Sequence, residues 1–280
     1  MPELPEVEVT RRGIDQPMRG AWVQAVYVGK ALRWPLGVAP ESLLTRQIGP
    51  VLRRGKYLWL PLSAPLHSLD GAAGGLLLHL GMSGSLALLN DPPEPGKHDH
   101  FDLCTSHGTL RLNDPRRFGA VVWSPGLHAA PAATLLQRLG PEPFDDTLTA
   151  ATFHAALQAR RTPIKTALLS GELVVGAGNI YACEALFAAA IHPALRCDRI
   201  SRPRAARLLA AVRSTLARAL EVGGSTLRDF TDVHGISGEF QSEAAVYGRA
   251  GVACRVCSSA VRRMVQSQRS TFYCAVCQKR

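Results

Sequence analysis

The sequence predicts an α+β protein in which an N-terminal helix and a β-sandwich precede a helical domain and a C-terminal β-hairpin. Three patterns carry this prediction. Apolar and polar residues alternate in short segments between residues 22 and 123, which is typical of strands. Beyond residue 149, apolar residues recur at helical spacing. Two C-x-x-C pairs near the end of the chain enclose a segment with the pattern of a two-stranded hairpin.

The first element is a helix at the N-terminus. Pro5 suits a first helical position, and the acidic residues around it are favoured by the positive end of the helix dipole. Val7 and Ile14 fall on one face of this helix, and Gly13 is a possible end point. The helix should therefore hold the N-terminal residues on a rigid support.

Strand segments follow, for example at residues 21–28 and 56–60. Residues 61–75 are rich in Pro, Gly, Ala and Ser, and they predict a surface connection to which we assign no function. Turn-forming residues accumulate again around 139–143, where the composition changes to Ala, Leu and Arg. The predicted boundaries are 1–132 for the N-terminal sandwich domain, 133–149 for a linker, 150–245 for the helical domain and 246–280 for the C-terminal hairpin.

Four helices are predicted in the second half, over residues 149–158, 162–170, 179–191 and 203–222. The last one is amphipathic, with leucines on one face and arginines on the other. The glycines that precede Asn179 would leave backbone N–H groups exposed at a helix start. Such a start can bind an anion, although a plain turn and cap is the commoner interpretation.

Net charge narrows the class of partner. Lys and Arg outnumber Asp and Glu by 32 to 22, which gives a formal charge of +10 and a pI near 9.7. This balance indicates a polyanionic partner. No apolar run approaches the roughly 18 residues of a spanning helix, and no signal segment is apparent. We therefore expect a soluble intracellular protein that does not bind membranes.

Four of the seven cysteines form two C-x-x-C pairs separated by sixteen residues: Cys254, Cys257, Cys274 and Cys277. Four thiolates at this spacing predict a closed tetrahedral site for one structural zinc ion, with no open position for catalysis. An iron–sulfur or redox site is the alternative. No acidic residue follows Arg249. An arginine such as Arg269 in this hairpin is therefore predicted to bind phosphate.

The N-terminus offers a nucleophile. Removal of Met1 before a small residue would expose the secondary amine of Pro2. Because α-amino groups in general titrate near pH 8, a useful fraction would be unprotonated at neutral pH and could attack an aldehyde-level carbon to give an iminium ion. Glu3 and Glu6 lie within one helical turn of it. A frayed acidic end without function is the alternative interpretation.

Three further residues form a possible wedge. Taken singly, Met82 and Phe118 would be interpreted as core residues, and Arg116 as a charged residue at the tip of a hairpin. Taken together, they provide two apolar wedges and a planar cation, which an enzyme needs if it extrudes a nucleotide and holds the orphaned base. The Gly-rich residues 223–241 could cover such a base or could be a linker.

From its opening Pro-Glu-Leu-Pro-Glu to its last cysteines, the chain resembles the formamidopyrimidine-DNA glycosylase family. The resemblance covers essentially the whole chain, and it implies a helix–two-turn–helix in the helical domain and a zinc finger at the end. Leu4 favours this branch over the related endonuclease VIII branch, which typically has Gly there. The connection before Leu76 is longer than the family usually carries.

The resemblance also implies a role for each candidate residue. Pro2 would attack C1′ of the damaged nucleotide, Glu3 would protonate the sugar-ring oxygen, and Glu6 would order the amine. Lys56, otherwise a solvated strand-edge cation, would serve with Arg269 in strand cleavage. The implied DNA contacts are Met82, His98, Arg116, Phe118, Arg160, Lys165 and Asn179, and His100 would be structural.

The implied activity is that of a bifunctional DNA glycosylase and AP lyase for 8-oxoguanine and formamidopyrimidines in duplex DNA, followed by β,δ-elimination. An endonuclease VIII-like glycosylase for oxidised pyrimidines is one alternative, and a non-catalytic DNA-binding zinc protein is the other. We expect a monomer in the bacterial cytoplasm, associated with the nucleoid. The Ala- and Arg-rich composition fits a bacterium with GC-rich DNA but does not identify the source.

Overall fold

A computed structural model describes residues 2–65, 72–225 and 239–280. The described residues up to Gln137, together with Gly223–Ser225, form one compact unit, and Arg138–Val222 with Glu239–Arg280 form a second. We call these unit 1 and unit 2. No helix in the described ranges is long and apolar enough to cross a lipid bilayer.

Unit 1 begins with helix α1 (Leu4–Met18) and continues as two antiparallel four-stranded sheets. The strands are β1 (Val23–Val28), β2 (Leu52–Arg54), β3 (Tyr57–Leu62), β4 (Gly74–His79), β5 (Ser85–Leu89), β6 (Asp99–Thr105), β7 (Gly108–Asn113) and β8 (Ala120–Ser124). Their orders are β1-β6-β7-β5 and β2-β3-β4-β8. Leu, Ile and Val from both sheets and from α1 share one core, which confirms the predicted sandwich.

Helix α1 does not end at Gly13, contrary to the prediction. It continues to Met18 because Ile14 and Met18 are buried on the same face as Val7. A single glycine inside a helix costs only about 1 kcal/mol, which this burial offsets. The apolar face therefore overrides the local stop signal.

The predicted connection at residues 61–75 is shorter than expected. Pro61 and Leu62 belong to β3, and Gly74 and Gly75 begin β4, where they pair with those two residues. A Cβ at Gly74 would lie 2.5 Å from the ring of Trp123. These glycines are therefore strand residues that make room for an indole ring, and their turn-like composition was misleading.

Unit 2 contains the four predicted helices, α3 (Ala150–Gln158), α4 (Ile164–Ser170), α5 (Asn179–Ala188) and α6 (Arg202–Glu221). It also contains a short helix that was not predicted, α7 (Phe240–Glu243). Thr149 caps α3 by accepting the N–H of Thr152. The helix α2 (Ala132–Leu136), which belongs to unit 1, overlaps the start of the predicted linker and packs on Trp59. The four predicted domain ranges themselves stay a prediction.

The C-terminal hairpin consists of β9 (Arg262–Gln266) and β10 (Arg269–Tyr273). Ser267 and Gln268 join the strands with positive φ values of 48° and 61°. This is the two-residue turn whose twist matches a hairpin. The possible cover at 223–241 falls mainly on 226–238, outside the described residues.

Candidate functional site

The three N-terminal candidates meet at the start of α1. Pro2, Glu3 and Glu6 are all buried. The Glu3 N–H donates to Glu6 Oε2 at 2.8 Å, while the Glu3 side chain accepts the Glu6 N–H. This reciprocal capping box fixes the residue directly after Pro2.

The second oxygen of Glu6 is also committed. Glu6 Oε1 accepts the N–H of Ser225 at 2.7 Å and its hydroxyl at 3.1 Å. Gly224 has φ +85°, and a Cβ there would lie 3.0 Å from the same oxygen. A carboxylate held by backbone donors on both sides is suited to positioning. Glu6 thus ties Gly224 and Ser225 to the N-terminal residues.

Lys56 stands directly before β3, next to an imidazole. Tyr57 pairs with His79 across the ladder, with ring centroids 4.7 Å apart. His79 Nδ1 accepts the N–H of Gly81 at 3.0 Å. Burial, with smaller contributions from Lys56 and Arg33, lowers the pKa of His79 to about 4. At neutral pH this ring is uncharged and its proton is on Nε2, so it can donate to an anion beside Lys56.

Asp114 organises the loops that carry the wedge candidates. This fully buried carboxylate accepts the Ser83 hydroxyl at 2.8 Å, the Gly119 N–H at 2.7 Å and the Arg116 N–H at 3.2 Å. Its own N–H donates to the carbonyl of His98 at 2.8 Å. The carboxylate of Asp114 therefore joins the Met82 turn to the Arg116–Phe118 loop, and its backbone N–H adds the His98 segment.

The wedge side chains project outward from this support. Met82 is 41% exposed and Phe118 is 44% exposed, so neither is the core residue that its type suggests. The Arg116 guanidinium lies 5.0 Å from the centre of the Phe118 ring. An exposed thioether, ring and planar cation on loops pinned by one buried carboxylate are suited to entering a base stack.

The four paired cysteines converge in unit 2, and all of their Sγ atoms lie within 4.8 Å of one another. Cys254 and Cys277 are 3.9 Å apart, and Cys257 and Cys274 are 3.4 Å apart. Zn–S bonds of about 2.3 Å in a tetrahedron place sulfurs roughly 3.8 Å apart, so these thiols fit a single zinc ion. The ion would brace the β9–β10 hairpin.

Comparisons with known proteins agree along the whole chain. The formamidopyrimidine-DNA glycosylase N-terminal domain matches residues 1–121, the H2TH domain of the same enzymes matches 139–231, and a zinc finger found in FPG and IleRS matches 253–280. The chain belongs to the formamidopyrimidine-DNA glycosylase family. A relative from Variovorax paradoxus named formamidopyrimidine-DNA glycosylase is 58% identical over 279 residues, which covers 100% of both chains.

Solved structures of the family have the same fold. The MutM (FPG) protein of Thermus thermophilus is 36% identical with a TM-score of 0.86, covering 99% of this chain and 98% of its own. A Lactococcus lactis FPG variant in complex with Fapy-dG-containing DNA is 29% identical with a TM-score of 0.88, and both chains are covered completely. The predicted fold class is confirmed, as is a zinc finger whose four cysteines can bind one zinc ion.

Lys165 was predicted to contact a DNA phosphate, but the structure places it in the interior of unit 2. The side chain is fully buried, and its ammonium donates to Asn179 Oδ1 at 2.6 Å and to Thr271 Oγ1 at 2.7 Å. The carbonyl of Ser270 accepts a third bond at 3.2 Å. A direct phosphate contact does not fit this arrangement. Lys165 instead fastens the hairpin to α4 and α5.

The remaining candidates of unit 2 are accessible. Arg269 is exposed and follows the turn of the β9–β10 hairpin. Arg160 is partly exposed and pairs with Glu172 at 2.8 Å. Asn179, partly exposed at the start of α5, donates to the Ser270 carbonyl at 2.9 Å. Their roles toward DNA stay predictions.

Several residues escaped the sequence analysis. Asp114 and His79 lie two and three residues before the wedge candidates Arg116 and Met82, but Ser83 and Tyr57, which they contact, are distant from them in sequence. Glu184 is a third example, because its carboxylate accepts the N–H groups of Ala245, Val246 and Tyr247 at 2.7 to 3.0 Å and anchors α5 to the segment before the zinc finger. An acid within an apolar helix was the only signal available for it.

Proposed function

We propose that the chain is a bifunctional DNA glycosylase and AP lyase that removes 8-oxoguanine and formamidopyrimidines from duplex DNA. The observation that carries this proposal is the geometry at the start of α1. There Pro2 precedes a carboxylate pair whose inner member, Glu6, is held by backbone donors on both sides. Family membership and the basic charge of the chain support DNA as the substrate.

The proposed reaction begins once Met1 is removed. The unprotonated Pro2 nitrogen attacks C1′ as the bond from C1′ to the damaged base breaks, and Glu3 protonates the sugar-ring oxygen as the ring opens. The nitrogen then becomes an iminium, which acidifies the C2′ protons. Loss of one C2′ proton expels the 3′ phosphate, and a second elimination expels the 5′ phosphate. Glu6 keeps Glu3 and the amine in register.

We assign the phosphate chemistry to cations. Lys56, beside the uncharged His79, would bind the phosphate at the lesion and transfer protons during the eliminations. Arg269 would stabilise the second leaving phosphate, because a guanidinium matches two phosphate oxygens. A zinc ion at the four cysteines would supply only structural support for the hairpin. Met82, Arg116 and Phe118 would fill the space of the extruded nucleotide.

Borohydride trapping tests the attacking group. Reduction of a reaction with 8-oxoguanine duplex should yield a covalent protein–DNA adduct, and peptide mapping should place the DNA on Pro2. Intact mass should show that Met1 is absent. An adduct on Lys56, or full activity of protein that retains Met1, would contradict the assignment. A Pro2→Gly variant keeps a primary amine, so efficient trapping by it would also count against a specific need for proline.

Substrate preference distinguishes the proposed activity from that of the related endonuclease VIII branch. Release of 8-oxoguanine should exceed release of thymine glycol from matched duplexes, and the opposite order would favour an endonuclease VIII-like enzyme. A protein that binds lesion DNA without releasing either base would be the non-catalytic alternative.

We further propose that the enzyme acts as a monomer in the bacterial cytoplasm, at the nucleoid. The named relatives are bacterial, and a single chain carries every predicted catalytic group. Sedimentation at micromolar concentration should give the mass of one chain, and a fluorescent fusion should overlap the stained chromosome. A dimeric mass or an envelope signal would contradict these assignments.

A further inference from the structure

Unit 2 presents an arginine-rich edge that the proposed chemistry does not use. Two segments, residues 158–163 and 196–202, run side by side. The Asp198 N–H donates to the Arg160 carbonyl at 3.0 Å, and the Cys197 N–H donates to the Thr162 carbonyl at 3.0 Å. These bonds make a single surface from residues more than thirty positions apart. We call the exposed cations Arg161, Arg199 and Arg202 on this surface the arginine edge.

The arginine edge has an excess of positive charge. Asp198 is the single acid in the two segments, and Arg196 already pairs with both of its oxygens. Arg161 and Arg199 lie near enough to reinforce Arg196 in lowering the pKa of Asp198. Among the described residues, no acid forms an ion pair with any of the three arginines of the edge. Three cations thus face solvent together.

Stability does not account for this arrangement. Arg202 is the first residue of α6, and the first turn of that helix contains no acid. A cation in a first turn opposes the helix dipole and costs about 0.3–1 kcal/mol, and neighbouring like charges add repulsion. A polyanion bound across the edge would turn both effects into attraction.

We propose that the arginine edge is an additional contact with duplex DNA, outside the lesion site, that holds phosphates of the flanking helix. The inference rests on the proposed function. It extends the predicted phosphate contact of Arg160, whose carbonyl joins the two segments. Planar guanidinium groups match phosphate oxygens. The edge has no exposed large apolar side chain, and its isoleucine, Ile200, is 1% exposed, so it lacks an anchor for a membrane or an apolar protein surface.

Salt dependence of binding tests the proposal. The triple variant Arg161→Gln/Arg199→Gln/Arg202→Gln would be titrated with duplexes that carry a tetrahydrofuran abasic analogue, over a range of KCl concentrations. The matched control is Arg12→Gln/Arg19→Gln/Arg138→Gln, which removes the same charge from exposed positions elsewhere. Thermal unfolding of the edge variant should occur at or slightly above the temperature of the parent, because Arg202 opposes the helix dipole. The control should lose at most the small contribution of the surface ion pairs of Arg12 with Glu8 and of Arg19 with Asp15.

On a duplex with long flanks, the slope of log Kd against log salt should fall by about 2 to 3 in the edge variant, because each lost phosphate contact accounts for about 0.9. The control should change it by less than about 1. As the flanks are shortened stepwise, the slopes of the edge variant and the parent should converge, since the flanking phosphates are removed. Single-turnover cleavage at saturating enzyme should be unchanged.

An unchanged slope of the edge variant on the long duplex would overturn the proposal. An equal decrease of the slope in the control would also overturn it, because it would show that only the net charge of the protein matters. A loss seen solely with single-stranded RNA or with anionic phosphatidylserine vesicles would also overturn it. Binding to undamaged duplex measures the contact made by the arginine edge even if the protein has no catalytic activity. If the parent neither traps nor releases 8-oxoguanine but the slope on undamaged DNA still falls, the proposed function fails and the contact stands.

Discussion

Replacement of Asp114 by Asn should disable the wedge while leaving the sandwich folded. The carboxylate accepts three donors, from Ser83, Gly119 and Arg116. An amide retains a single acceptor oxygen, so it loses the charge that strengthens two of these bonds and leaves the third unmade. A charge-assisted bond exceeds a neutral one by about 1 kcal/mol, and the unmade bond costs at least about 1 kcal/mol more, so the loops should lose about 3 kcal/mol of positional stability. This corresponds to roughly 150-fold in the population of the ordered loops.

The assay compares two abasic-analogue duplexes, one with an intact opposite base and one with the opposite nucleotide removed. Asp114→Asn should bind the intact duplex up to about 150-fold more weakly, and the gapped duplex within about 3-fold of the parent, because no orphaned base then needs support. Asp102→Asn is the control. Asp102 is also buried and holds Arg111 at 2.6 Å, but it contacts no wedge loop among the described residues. Equal losses of Asp114→Asn on both duplexes would refute the positioning role.

Three other outcomes are expected. Lys165→Met should lower the free energy of unfolding by about 3 kcal/mol, because it leaves Asn179 and Thr271 without their donor. Thr271→Val should lower it by only about 1 kcal/mol. Equal losses for the two variants in urea denaturation would contradict this anchoring role. Because the pKa of His79 is lowered from 6.5 to about 4, the unfolded chain binds the proton more readily. Stability should therefore fall by at most about 3 kcal/mol from pH 6.5 to 4, and a His79→Gln variant with the same slope would exclude this source. Thiol modification should release one zinc per chain to a pyridylazo indicator, and Cys257→Ser should release less; a stoichiometry of zero would contradict the site.

Much of the architecture follows from local patterns. The helices over 150–158, 164–170 and 202–221 lie where apolar spacing predicted them, and Thr149 caps the first of them. The two C-x-x-C pairs identified the zinc ligands because each pair needs only a tight turn to bring two sulfurs together. Such signals depend on a few neighbouring residues, so they can be recognised in the sequence alone.

Tertiary packing decided what local patterns could not. Gly13 carries a stop signal, yet the burial of Ile14 and Met18 extends the helix past it. Gly74 looks like part of a loop, yet an indole ring requires a residue without a side chain there. In both places a distant surface outweighs a propensity of about 1 kcal/mol.

The sequence by itself determined the order of elements, the family and the cysteine ligands. The tertiary structure alone decided which polar groups face inward: Lys165 against Thr271, 106 positions away, and Glu6 against Ser225, 219 positions away. Whether a lysine grips phosphate or anchors a hairpin depends on its burial and on the acceptors around it. Both are set by chain segments that meet only after folding.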